Sequence, residues 1–72
     1  MEKNWKKIKE YNKNFQAELS KHLLEENNIP AVILNKQDSS YLFGKIELYV
    51  SDEDEESARA ILNKQEDLTD ED

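Results

Sequence analysis

Lys45-Ile46-Glu47-Leu48-Tyr49-Val50 places Ile46, Leu48 and Val50 on one side of an extended chain and Glu47 and Tyr49 on the other. That period of two is the pattern of a β-strand with one face buried. Upstream, Ala31-Val32-Ile33-Leu34 is a short apolar run rich in β-branched residues and reads as another strand. Between the two lies Asn35-Lys36-Gln37-Asp38-Ser39-Ser40-Tyr41, followed by Leu42, Phe43 and Gly44. A two-residue turn would suffice to join antiparallel strands. A longer connector dense in hydrogen-bonding side chains is a candidate binding loop, because loops on a rigid scaffold often carry function. Gly44 is the only glycine, and a positive φ or a bulge is expected there.

Before the Ala31 strand, Phe15 to Asn27 reads as a helix. Phe15, Leu19, His22, Leu23 and Glu26 recur at intervals of three and four, with Ala17 and Leu24 widening that face. Asn14 is the expected N-cap. Asn27-Asn28 should end the helix, since Asn tolerates the left-handed conformation, and Pro30 pushes Ile29 out of helical geometry. Trp5 to Tyr11 reads as a first strand whose imperfect alternation allows a bulge. After Val50, Ser51 or Asp52 should cap a second helix, with Asp54 or Glu55 completing a capping box. Ala58, Ile61 and Leu62 supply its apolar stripe. From Gln65 the chain turns acidic, and a disordered tail over residues 65–72 is expected.

The order is strand, helix, strand, strand, helix within a single domain over residues 1–64. This predicts an α+β fold: a ferredoxin-like βαββα unit with a three-stranded antiparallel sheet and both helices on one face. Residues 45–50 would form the central strand. No fourth strand is expected, because the segment after the second helix is nearly devoid of apolar residues. The first strand would then be an open edge, protected by Lys6, Lys7 and Lys9 or by pairing with a second copy.

The 72 residues carry a net charge of −7, unevenly spread. Residues 1–21 hold six Lys against three Glu; residues 51–72 hold Arg59 and Lys64 against ten acids. The negative total disfavours nucleic-acid binding, which depends on Lys and Arg displacing counterions from phosphates. There is no cysteine, so neither disulfides nor thiolate metal sites are available. No apolar run approaches the roughly 20 residues of a membrane span, and the charged N-terminus lacks a signal-peptide core. The expectation is a soluble, cytoplasmic protein with no membrane or nucleic-acid partner.

No motif announces an enzyme. The insert holds Lys36 beside Ser39 and Ser40, but a serine nucleophile needs a positioned base and an oxyanion hole, and no G-x-S-x-G elbow surrounds it. Asp38 and the serines are better read as bonding nearby backbone amides. His22 is the only histidine and reads as a half-buried structural residue, since a metal site needs several ligands. The acidic run Asp52 to Glu56 lacks calcium-loop spacing and opens a helix, where it complements the helix dipole. One glycine cannot build a phosphate-cradling loop. Tyr49 with Trp5 or Tyr11 could stack bases on an open sheet, yet the RNA-binding aromatic pattern is missing, and cross-strand packing is the better account. No catalytic, cofactor or metal residues are assigned.

The helix from Phe15-Gln16-Ala17-Glu18-Leu19 to Leu24, then Asn28-Ile29-Pro30-Ala31-Val32, the insert through Tyr41, and Ile46-Glu47-Leu48-Tyr49-Val50 together resemble the bacterial family of putative prokaryotic signal-transducing proteins. The resemblance runs from about Trp5 to Leu62. It implies a regulatory role and a fold like that of PII-type nitrogen-regulatory proteins, whose long loop between the second and third strands touches targets. Asn28 stands where the family usually has Gly, and Asn can adopt the same backbone. The resemblance does not carry PII-type ATP binding or trimers, since the nucleotide loop and fourth strand are missing. The expectation is a non-enzymatic regulatory or adaptor domain acting through Asn35, Lys36, Gln37, Asp38, Ser39, Ser40 and Tyr41 on a protein partner or small ligand. The alternative is a metabolite sensor with a pocket between this loop and the open sheet face. Self-association through the edge strand is a further expectation.

Overall fold

The computed structural model describes residues 4–38 and 44–69, with the side chains of residues 38 and 65–69 outside the description. Strand β1 spans Trp5–Tyr11, helix α1 Asn14–Glu26, strand β2 Ala31–Asn35, strand β3 Ile46–Ser51 and helix α2 Glu55–Thr69. The sheet is antiparallel in the order β1-β3-β2. The fold is α+β, in the βαββα order expected, with β3 in the middle. Both β1 and β2 are therefore outer strands.

Register assigns the faces. Ala31, Ile33 and Asn35 lie beside Val50, Leu48 and Ile46. This side meets both helices: Ile8, Leu24, Ile29, Ala31, Leu48, Val50, Ala58 and Leu62 form one core cluster. Val32 and Leu34, beside Tyr49 and Glu47, take the opposite face. On β1 the register shifts between Lys7 and Lys9, so a bulge sits at Ile8. A bulge breaks strict alternation, which is why the β1 pattern is imperfect. It also brings Ile8 into the core. Arg59 of α2 reaches the same place, its Nη1 donating to the Ile8 carbonyl at 3.4 Å while Nε and Nη2 bond Glu55.

Helix α1 is rotated from the expected orientation. Ala17, Ser20 and Leu24 are its buried residues. Phe15 and Leu19, expected inside, are 60% and 56% exposed. Spacing alone admits both faces, since 17, 20 and 24 also fall at intervals of three and four. Small Ala17 and Ser20 face the sheet, and Ser20 Oγ accepts a 2.6 Å hydrogen bond from the Tyr11 hydroxyl. His22 is likewise exposed rather than half-buried, and its Nε2 lies 3.1 Å from Glu26.

The helix ends differ from expectation at one terminus of α1 and agree at the other. Asn14 is the first helical residue, and Lys13 is the N-cap with an extended backbone and no capping side chain. At the far end Asn28 adopts φ 64. The Ile29 amide donates to the Leu24 carbonyl at 2.9 Å and Asn28 to Glu25 at 3.0 Å. This is a Schellman motif, and its usual apolar contact is supplied by Leu24 and Ile29 in the core. Helix α2 is preceded by a 3-10 turn, Asp52–Asp54, with Ser51 as N-cap. Ser51 makes no cap bond to backbone; its hydroxyl donates to Asp54 at 3.3 Å. Ala58, Ile61 and Leu62 face the core as expected. Helical backbone continues to Thr69, five residues into the expected acidic tail, because nothing from Gln65 to Leu68 breaks a helix. Residues 70–72 lie outside the described residues.

Candidate functional site

The loop after β2 starts from a tightly held base. Asn35 ends β2, and its Oδ1 accepts the Gln37 amide at 2.8 Å. This Asx-type bond turns the chain into a single 3-10 turn, Lys36–Asp38. The Lys36 amide donates to the Lys45 carbonyl at 3.1 Å, tying the two arms of the loop together. Asn12, between β1 and α1, clamps both arms. Its carbonyl accepts Gln37 Nε2 at 3.1 Å, and its Oδ1 accepts Lys45 Nζ at 3.0 Å.

Gly44 faces this base. A Cβ there would stand 2.4 Å from the Lys36 carbonyl oxygen and 2.8 Å from its carbon. The glycine does not have positive φ. Its role is close approach between the two arms, and of the two expectations, a positive φ or a bulge at the entry of the strand, the first is corrected.

The Lys36 side chain turns onto the open sheet face, where its Nζ lies 3.5 Å from Glu47 Oε1. The same oxygen accepts a 2.8 Å bond from the Tyr49 hydroxyl. Glu47 Oε2 lies 3.5 Å from Lys7 Nζ, which in turn bonds Glu10 at 2.7 Å. Charges thus alternate Glu10, Lys7, Glu47, Lys36 from β1 across β3 to the turn that follows β2. Glu47 sits on the sheet face away from both helices yet is only 6% exposed. The Tyr49 hydrogen bond, reinforced by Lys36 and Lys7, holds its carboxyl below the ordinary 4.5 despite burial. The same bond, with burial, raises the Tyr49 phenol above 10.0. Lys7 is raised above 10.5, chiefly by its bond to Glu10. At neutral pH Tyr49 therefore remains a donor and is not poised as a base. The cluster is an electrostatic surface.

Of the residues expected in the site, Asn35, Lys36 and Gln37 are brought together at the loop base. Asp38 lies in the 3-10 turn, its side chain outside the description. Ser39, Ser40 and Tyr41 lie outside the described residues. Asn12, Lys7 and Glu47 were not assigned to the site from sequence. The i, i+2 spacing of Glu47 and Tyr49 was a legible signal; the cross-strand position of Lys7 required the register. Tyr11 does not join Tyr49, because it lies opposite Ile46 on the core side. Among the described residues no three His, Asp or Glu side chains converge in a way that could hold a metal ion. No helix among them is long and apolar enough to cross a membrane.

Comparison with known proteins gives one family match: residues 5–66 fit the family model described as putative prokaryotic signal transducing protein. No curated protein and no solved structure matches the chain.

Proposed function

We propose, from the premise that this chain belongs to the family of putative prokaryotic signal-transducing proteins, that it is a non-enzymatic cytoplasmic regulatory domain. It binds a protein partner through the loop between β2 and β3. The observation that carries this reading is the loop base. Asn35, Gln37, Lys45 and Asn12 hold both arms by side-chain bonds, so the loop is presented from a fixed platform, which lowers the ordering cost of binding. Lys36 joins that platform to the charged row on the open face. The loop occupies the place of the target-contacting loop in PII-type regulators, and the analogy extends to position alone.

Lys36→Glu tests the reading. Lys36 is half exposed, so the variant should fold with a melting temperature within about 8 °C of the parent. Affinity purification from the native cell extract should recover a partner with the parent chain and lose it with the variant. Equal recovery by both, or a metabolite that raises the melting temperature while no protein is retained, sinks the reading; the second result favours the sensor alternative.

A further inference from the structure

The two outer strands are built differently. β1 carries a bulge between Lys7 and Lys9 and three lysines among its seven residues. Bulges and lysines are devices that keep an exposed edge from pairing. β2 has neither. Its five residues pair with β3 in unbroken register. Pro30 precedes the strand without entering it, and no charge occurs from Asn27 to Asn35. That nine-residue stretch is the longest uncharged run in a chain with 27 charged residues out of 72.

We propose that the outer edge of β2, which no other described strand pairs, pairs with β2 of a second copy, antiparallel about a two-fold axis at Ile33, giving a continuous six-stranded sheet. A two-fold interface must be complementary to itself. Pairing about Ile33 sets Val32 of each copy opposite Leu34 of the other. Both side chains lie on the open face and are 45% and 46% exposed, so each copy covers apolar surface of its neighbour. Charge selects the same edge. Each copy carries −7, with ten acids after Val50. Helix α2, which bears four of them, packs against α1, β1 and β3, while β2 meets its neighbour without any ionic side chain of its own. The lone lysine at the strand end, Lys36, is turned onto Glu47. One five-residue strand pair is smaller than the roughly 1,200 Å² of a standard interface, so the association is weak and reversible. This pairing is independent of partner binding by the loop.

Sedimentation equilibrium of the intact chain tests it between about 10 μM and 1 mM, the range in which a weak dimer dissociates. The parent should pass from monomer to dimer across that range. Val32→Lys with Leu34→Lys sets ammonium against ammonium at both cross-strand positions and should weaken dimerisation at least tenfold, with unchanged circular dichroism. In this cysteine-free chain, Ile33→Cys places one thiol on the axis. Mild oxidation should then yield a covalent dimer, whereas Lys6→Cys on the other edge should not. A parent chain monomeric at about 1 mM overturns the proposal. So does undiminished dimerisation of the folded double-lysine variant, or cross-linking through position 6 in preference to 33.

Discussion

Two residues set the backbone limits of this domain, for different reasons. Asn28 holds a positive φ that ends α1, and Asn is one of the few side chains that adopt it readily. Gly44 has an ordinary φ and is needed because the Lys36 carbonyl leaves no room for a methyl group. The atoms it would strike are backbone, pinned by the bond to Lys45, so they cannot swing aside as a side-chain tip could. Gly44→Ala should therefore destabilise the domain by about 1–3 kcal/mol, the usual range for overpacking. Urea unfolding monitored by circular dichroism checks this. A loss under about 0.5 kcal/mol would mean that the loop arms separate freely.

At the scale of elements, α1 is where sequence pattern and packing part. Phe15 and Leu19 are the bulkier apolar residues, and hydrophobicity ranks them for the core. The sheet instead receives Ala17, Ser20 and Leu24. Small side chains let helix and sheet approach, and the Tyr11–Ser20 hydrogen bond satisfies the hydroxyl that this approach buries. The energetic consequence is measurable. Leu24 is fully buried, so Leu24→Ala should cost about 2–5 kcal/mol. Phe15→Ala and Leu19→Ala should each change stability by no more than about 0.5 kcal/mol. Denaturant midpoints of the three variants rank the two faces, and the opposite ranking would return α1 to the orientation expected from sequence.

For the whole molecule, stability should decline at both ends of the pH scale. The depressed Glu47 carboxyl stabilises the folded state above its ordinary 4.5, and that contribution is lost as pH falls below 4.5 through the folded value. Tyr49, raised chiefly by its bond to Glu47, and Tyr11, raised by burial, act oppositely. Their contribution is complete below pH 10.0 and is lost as pH rises above it; Lys7, raised above 10.5 by Glu10, adds to the same limb. Glu47→Gln should flatten the acid limb of a plot of urea midpoint against pH, and Tyr11→Phe the alkaline limb. Limbs with unchanged slopes in both variants would show that these groups titrate alike in the folded and unfolded chain.

Sequence alone determined the βαββα order, the central place of Ile46 to Val50, the left-handed stop at Asn28 and the position of the polar loop. Each of these is written in neighbours along the chain: a period of two, intervals of three and four, an Asn before Ile-Pro. Only the tertiary structure decided which side of α1 is buried, why Gly44 is glycine, that Asn12 clamps the loop, and that Lys7 and Lys36 flank Glu47. Those outcomes depend on groups 8 to 40 positions apart meeting in the folded chain. A local pattern admits several such meetings, and close packing selects one.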